Sequence, residues 1–270
     1  ASGTGSINYQ WQSNTSGSFQ NLTDGGDITG ATSPTLTIAN VSNTDEASYR
    51  LLASSACGED QFSNEVTLNV NKATDITGQA SDQSLCPGEA ATFTIAAHGT
   101  NEQYQWQTNK DGSWANIMNG GNITGANGSQ LSILNVDQDD NAHYRCLVSG
   151  ECGVDQASDS IELTVHIPTQ IVSQPSDIAV IEGNTASFSV SAEGTNLQYQ
   201  WQTDSSGSWQ NLVDDDHVSH IDSEEMFVLN PDNSDEAHYR CFVSGTCGED
   251  QYSDSVYLTV DSPYLPGQID

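Results

Sequence analysis

The sequence predicts an all-β chain built as tandem β-sandwiches, and three observations carry that prediction. The first is an internal repeat: Trp11, Trp106 and Trp201 stand 95 residues apart, each within a Tyr-Gln-Trp-Gln tetrapeptide. The second is that other landmarks keep the same period. Tyr49, Tyr144 and Tyr239 do so, as do Cys57, Cys152 and Cys247 (each before a glycine) and Asp60, Asp155 and Asp250 (each before a glutamine). The third is local. Short apolar–polar alternations are separated by turn residues every ~8–12 positions, and no useful stretch keeps a helical period. A period of this length suits one small sandwich and is far longer than a solenoid unit.

The elements follow in chain order. The first repeat, 1–71, has an alternating strand over 8–13 and a short strand at 19–22. Asp24-Gly25-Gly26-Asp27 is turn chemistry. Leu36, Ile38 and Val41 form the next strand, and a hairpin, 49–54 with 62–70, closes the unit across Cys57-Gly58. The second repeat, 72–166, is complete. Ahead of the same plan it has an edge strand within 74–85, a turn at Pro87-Gly88 and an inner strand on which Ala91, Phe93 and Ile95 alternate. The third, 167–261, repeats this with Ala186, Phe188 and Val190 inside, and with Met226 and Val228 where the second has Leu131 and Ile133. The first repeat therefore lacks the two leading strands. Residues 262–270, with Pro263 and Pro266, read as the start of a fourth unit or a C-terminal tail. Three periods make 285 residues, 15 more than the 270 present, and the shortfall corresponds to 81–95. The frame thus predicts a window cut from a longer array, with the first repeat completed by further sequence or by a strand donated from another chain.

Composition narrows the partners. The net charge is −32, from five Lys and Arg against 37 Asp and Glu. Such a surface repels nucleic acid phosphates and anionic membranes, so neither is an expected partner, whereas cations are. No run of about 18 apolar residues exists to span a bilayer, and Ala1-Ser2-Gly3-Thr4-Gly5 has no signal pattern. Six cysteines at repeat-related positions predict a disulfide framework formed outside the cell.

Asp140-Asn141-Ala142-His143-Tyr144-Arg145-Cys146 and Asp235-Glu236-Ala237-His238-Tyr239-Arg240-Cys241, with Trp106 and Trp201 upstream, resemble the immunoglobulin fold. The resemblance implies that Tyr49, Tyr144 and Tyr239 are tyrosine corners and that Trp11, Trp106 and Trp201 are core tryptophans. The usual inter-sheet disulfide is absent, because Ile95 and Val190 stand at the strand-B cysteine position. Cys241 and Cys247 are the only cysteines of the third repeat, so they are expected to pair across the final hairpin, and Cys146–Cys152 follows by analogy. A bridge closing so short a loop contributes about 2 kcal/mol. Leu51 replaces the cysteine in the first repeat. Cys57 and Cys86 are then left over at opposite sandwich ends, with no bond expected between them. Cys57 is left to pair with missing sequence or with another chain. The Tyr-Gln-Trp-Gln strands, Cys86-Pro87-Gly88-Glu89, Ile123-Thr124-Gly125-Ala126 and Cys152-Gly153 further resemble bacterial Ig-like repeats of large secreted surface proteins of Bacteroidetes-type bacteria. That resemblance implies a stalk, filament or adhesive array at the cell surface.

Candidate chemistry is sparse. Arg50, Arg145 and Arg240 each follow a corner tyrosine and should face outward. The expected partners are Asp60, Asp155 and Asp250 in cross-strand ion pairs. Phe19, Trp114 and Trp209 are candidate stacking platforms for sugars, although aromatics so placed more often pack at a sandwich edge. Asp214-Asp215-Asp216-His217 replaces the glycine-rich turns of the other repeats, and His220 follows. Asp214, Asp216, His217 and His220 are weak candidates to hold a divalent cation such as Ca²⁺. His143 and His238 read as surface residues. No nucleophile elbow or phosphate loop is present, so no enzymatic activity is expected. The expected function is a structural or adhesive segment of an extracellular array. The alternative is a carbohydrate-binding accessory module of a secreted enzyme.

Overall fold

The computed structural model describes residues 6–262, so the unit expected to begin at 262 lies, past that residue, outside the described residues. The chain forms two compact units. One gathers Ala1–Thr77 with Ala96–Gln103 and Val148–Gln156; the other gathers Gly78–Ile95, Tyr104–Leu147 and Ala157–Asp270. The described residues are all-β, without an α-helix.

The second unit holds the third sandwich and most of the second. In the second sandwich the tryptophan strand Gln103–Thr108 lies beside the tyrosine strand Ala142–Ser149. The latter pairs with Ile161–Val165, which pairs in parallel with Gln83–Leu85. The facing sheet is Ala91–Thr94, Gln130–Ile133 and Ile123–Thr124. The third sandwich repeats the scheme. Gln198–Thr203 pairs with His238–Ser244, placing Trp201 opposite Cys241, and Ala186–Ser189, Glu225–Val228 and Val218–Ser219 form the facing sheet.

Strand alternation builds the core. Along Ala142–Ser149 every second residue is buried, which puts Tyr144, Cys146 and Val148 inside and leaves Arg145 at the outer face. Trp106, Phe93, Trp201 and Phe188 are at most 1% exposed. The Phe93 ring stacks on Tyr144 at 5.4 Å between centroids, and Phe188 stacks on Tyr239 at 5.1 Å. Each core indole keeps its one polar atom satisfied: Trp106 Nε1 donates to the Gly128 carbonyl at 2.9 Å and Trp201 Nε1 to the Ser223 carbonyl at 2.9 Å.

Each tyrosine strand is entered through a short turn closed by a capping box, Ser42 with Asp45, Asp137 with Asp140 and Asp232 with Asp235. The third acid of each turn is used twice. Its carboxylate accepts from the backbone N–H that opens the turn. Its carbonyl accepts the tyrosine hydroxyl, at 2.7 Å for Tyr49, 2.8 Å for Tyr144 and 3.0 Å for Tyr239. The next residue locks the final strand: Glu46, Asn141 and Glu236 accept from the N–H of Val70, Val165 and Val260.

In the first unit the sandwich has the same tryptophan–tyrosine pair, Ile7–Ser13 with Ala47–Ser55, and Trp11 stands opposite Leu51. Its facing sheet differs. Ile28–Thr29 pairs with Thr37–Ile38, and among the described residues no strand pairs with the other edge of Thr37–Ile38. The core therefore opens to solvent. Val41 and Val66 are 47% and 58% exposed, where the equivalent Val136 and Ile161 are 1% exposed. Trp11 is only half-buried, and its Nε1 still reaches the Ser33 carbonyl at 3.0 Å. A cleft of about 270 Å³ is left among Trp11, Leu36, Ile38, Tyr49 and Val66–Leu68.

Two measurements check this account. Tyr239→Phe removes a hydrogen bond from a buried corner and is expected to lower stability by about 1 kcal/mol in urea unfolding. An unchanged midpoint would show that the hydroxyl contributes nothing. The amides of Leu36 and Ile38 are expected to exchange with deuterium much faster than those of Leu131, Ile133, Met226 and Val228; equal protection would contradict the open edge.

Candidate functional site

Facing outward beside an inward tyrosine, each arginine lies across an aromatic ring. The Arg50 guanidinium is 3.8 Å from the Phe19 centroid and 4.2 Å from that of Phe62. Arg145 is 4.3 Å above Trp114. Arg240 is 4.1 Å from both Trp209 and Tyr252. The Nε of each arginine donates across the strand pair to Gln12, Gln107 or Gln202 at 2.9, 2.9 and 2.8 Å. Those glutamines in turn donate to Asn21, Asn116 and Asn211. The expected ion pairs with Asp60, Asp155 and Asp250 are not formed among the described residues. All three acids are exposed, and among the described residues the one arginine ion pair is Arg50 with Glu65 at 3.9 Å. A guanidinium is weakly hydrated and flat, so it stacks on a ring more readily than it holds an exposed carboxylate. The glutamines were legible only as the recurring last residue of Tyr-Gln-Trp-Gln, and their role depends on the cross-strand register. Phe19, Trp114 and Trp209 are half-buried, each with one face beneath its arginine.

The cysteines depart from the expected hairpin bridges. Neither Cys146–Cys152 nor Cys241–Cys247 forms. Cys86 is bonded to Cys247 with Cα atoms 5.7 Å apart, while Cys57, Cys146, Cys152 and Cys241 are free. The reason is strand facing. Cys146 and Cys241 point into the core alongside their tyrosines, both 0% exposed, whereas Cys152 and Cys247 sit in the turn beyond the strand. Six residues along the chain do not bring an inward side chain to its own outer turn. Burial pushes the Cys146 thiol up to about 11 and the Cys241 thiol up to about 12. The Cys247 turn is clamped to the start of its own repeat: Thr169 donates both its N–H and its hydroxyl to the Cys247 carbonyl, at 2.8 and 3.0 Å. A Cβ on Gly248 would stand 2.9 Å from the Thr169 nitrogen, so that approach requires glycine. The turn thereby faces the repeat before it, where Cys86 waits at the turn leading to the inner strand.

The acidic loop of the third repeat is occupied by structural work. Asp214 accepts from the Ile221 N–H at 3.1 Å, the bond that Asp24 and Asn119 make to Ala31 and Ala126. Asp215 accepts from the N–H groups of Val218 and His217, both at 2.7 Å, and these bonds hold its carboxyl below the ordinary value. Its side chain takes over from the glycine carbonyls of Gly25 and Gly120, which accept from Ile28 and Ile123. His220 stands at φ 63° where the other repeats have Gly30 and Gly125, with its ring edge-on to Phe227 at 5.3 Å. His217 Nε2 lies 2.7 Å from the Asp235 carboxylate, the acid that also caps the turn before Tyr239. Asp216 is exposed. Among the described residues these side chains do not converge on a common point that would hold Ca²⁺.

Two tests follow. Under native conditions iodoacetamide is expected to label Cys57 and Cys152, to leave Cys146 and Cys241 unmodified, and to leave an 86–247 crosslink in the peptide map. Labelling of Cys146 or Cys241 before unfolding would refute the buried-thiol placement. The hydrogen bond to Asp235 raises the His217 imidazolium above its ordinary 6.5. Its stabilisation is present in full below about pH 6.5 and is lost as pH rises through the folded value. The urea midpoint is therefore expected to fall more between about pH 6 and 9 in the wild type than in His217→Asn; parallel curves would show that the pair is not linked to folding.

Comparison with known proteins places these features. The immunoglobulin I-set domain profile matches residues 74–165 and 169–260, and a domain of unknown function, DUF8696, matches 1–72. Similar curated proteins include neogenin of Rattus norvegicus, 24% identical over 245 residues, covering 88% of this chain and 17% of that protein. The muscle M-line assembly protein unc-89 of Caenorhabditis elegans is 27% identical over 238 residues, covering 84% and 3%. The cell adhesion molecule DSCAM of Homo sapiens is 25% identical over 244 residues, covering 87% and 12%. The chain thus spans less than a fifth of the length of each. An I-band fragment of titin superposes with a TM-score of 0.69 at 18% identity, covering 96% of this chain and 90% of that one, which shows a shared fold. The expected kinship with bacterial surface repeats is overturned, since these relatives are animal proteins, a cell adhesion molecule and a muscle M-line assembly protein among them, and the matched profile is that of the I-set domain. Matched over its second and third repeats, the chain belongs to the immunoglobulin I-set family.

Proposed function

We propose that this chain is a structural and adhesive segment of an extracellular array of I-set domains, binding through domains of its own kind. The observation that supports this most is the bond between Cys86 of one repeat and Cys247 of the next. A covalent tie placed between successive domains, and not inside either, serves a chain whose domains must keep their order and spacing. The same bond favours an oxidising compartment outside the cell. The net charge of −32 fits a surface that stays dispersed until salt screens it. At about 0.15 M salt the screening length is near 8 Å, short enough for like-charged arrays to meet. The partners in this reading are neighbouring repeats, other copies of the chain or other Ig domains. The reading assigns no catalysis: His143 is exposed, and exposed His238 is taken up by Asp204 at 3.2 Å and by the Tyr257 ring. The glycan-binding alternative has weaker support, because the aromatics it needs are half-buried with one face beneath an arginine.

Beads coated with the protein are expected to aggregate at about 0.15 M salt and to disperse when salt is lowered tenfold, as the screening length grows. Beads that stay dispersed at every salt concentration, together with glycan binding lost on Trp114→Ala, would replace this reading with the carbohydrate one.

A further inference from the structure

We propose that the open face of the first sandwich is a receiving site for one extended strand of the pattern Cys-x4-Ala-x-Phe-x-Ile, and that the cysteine of this strand bonds Cys152. The two complete sandwiches define the occupant. In the second, the inner strand sets Ala91 opposite Ile133 and Phe93 opposite Leu131. In the third, Ala186 is opposite Val228 and Phe188 opposite Met226. The equivalent positions in the first sandwich are Ile38 and Leu36, on the edge that no described strand covers. An incoming strand in the same register lays its alanine against Ile38 and its phenylalanine against Leu36. The ring then enters the space that Phe93 fills between Trp106 and Tyr144, at 6.2 and 5.4 Å. In the first sandwich that space is the 270 Å³ cleft beside Trp11 and Tyr49. A cavity of about 150 Å³ accommodates benzene, so a phenyl ring fits with room for the strand that carries it. The one segment of this pattern in the described residues, 86–95, and its counterpart over 186–190 are already seated in their own sandwiches, so the occupant is an additional strand.

An independent observation fixes the cysteine. Cys152 is a free, partly exposed thiol in the turn equivalent to that of Cys247. The start of the second repeat makes, bond for bond, the contacts found at the start of the third. Lys72 N–H donates to Thr100 Oγ1 at 2.7 Å, as Ile167 does to Thr195 Oγ1 at 2.8 Å. Thr100 N–H donates back to the Lys72 carbonyl at 3.1 Å, as Thr195 does to Ile167 at 3.0 Å. Thr74 N–H donates to the Cys152 carbonyl at 3.1 Å, as Thr169 does to Cys247 at 2.8 Å. Cys152 is thus presented toward the first sandwich as Cys247 is presented toward the second. Cys247 there meets Cys86, which lies five residues before Ala91. A strand seated in the first sandwich with a cysteine five residues before its alanine brings that thiol to Cys152. The apolar slot and the free thiol select the same occupant, which is why one segment suffices for both.

The site does not depend on the adhesive reading, since its test measures a crosslink and amide protection. A synthetic peptide with the sequence of residues 84–96, its cysteine activated as the mixed disulfide with thionitrobenzoate, is added to the intact protein. The Cys152 thiolate attacks the peptide Sγ, the new S–S bond forms, the old one breaks, and thionitrobenzoate leaves with the electron pair, so no external oxidant is required. The expected product is one peptide per protein on Cys152, with slowed exchange at Leu36 and Ile38. A peptide carrying Phe93→Ser is expected to react at least about tenfold more slowly at Cys152, because burial of the ring drives docking. Equal rates for the two peptides, preferential reaction at Cys57, or labelling of Cys152 without protection of Leu36 and Ile38 would each overturn the proposal. The substitution is in the peptide, so folding of the protein is the same in every arm.

Discussion

The two-residue alternation of the tyrosine strand, pinned at one end by the corner hydroxyl, is the constraint on which the rest depends. Once Tyr144 is turned inward with its hydroxyl on the Asp140 carbonyl, every later side chain has its face assigned. Arg145 must face out, where it finds the ring of Trp114. Cys146 must face in, where it is sealed from solvent and from its neighbour in the turn. The turn cysteine is then free of its own hairpin and can serve the junction between repeats. One hydrogen bond at the strand entry therefore decides, several residues later, that a disulfide ties two domains together and not one hairpin.

How much of this was legible in the sequence depended on whether a feature lies along the chain or across it. The tryptophans, tyrosines and inner-strand triplets keep strict spacing, so they announce an all-β repeat directly. The short strands between turn residues were legible too, because apolar–polar alternation runs along the chain. The disulfide was not, because counting six residues from Cys241 to Cys247 ignores which way each side chain faces. The arginine partners were missed for a related reason. In a chain with 37 acids an ion pair is the obvious guess, yet the aromatic ring lies nearer the guanidinium on the outer face and needs less desolvation. In the acidic loop, Asp214 repeats the bond of Asp24 and Asn119, and Asp215 takes over a bond that a glycine carbonyl accepts in the other repeats, which no count of possible metal ligands distinguishes.

The first unit shows what a sandwich keeps when one sheet is incomplete. The tryptophan–tyrosine pair, the capping box and the Trp11 indole bond all persist. What is lost is the sealing of the core: Val41 and Val66 face water, and among the described residues no strand covers one edge of Thr37–Ile38. Bare edges beside apolar side chains recruit strands, wanted or not. The charge of −32 opposes indiscriminate pairing of such an edge with another copy. It does not oppose a strand such as 91–95, which carries no charge at all.

The bond between Cys86 and Cys247 also has a mechanical meaning. It closes a covalent ring over a sequence separation of 161 residues. Tension applied along the chain bypasses everything inside that ring, because the sulfurs provide a shorter path than the backbone. Were both sandwiches to come apart under load, the slack between the two cysteines would stay enclosed. At ~3.5 Å per residue, on the order of 500 Å of contour is withheld from extension. The bridge thus behaves as a safety strap: it lies inside neither sandwich, yet it sets the greatest length the pair can reach.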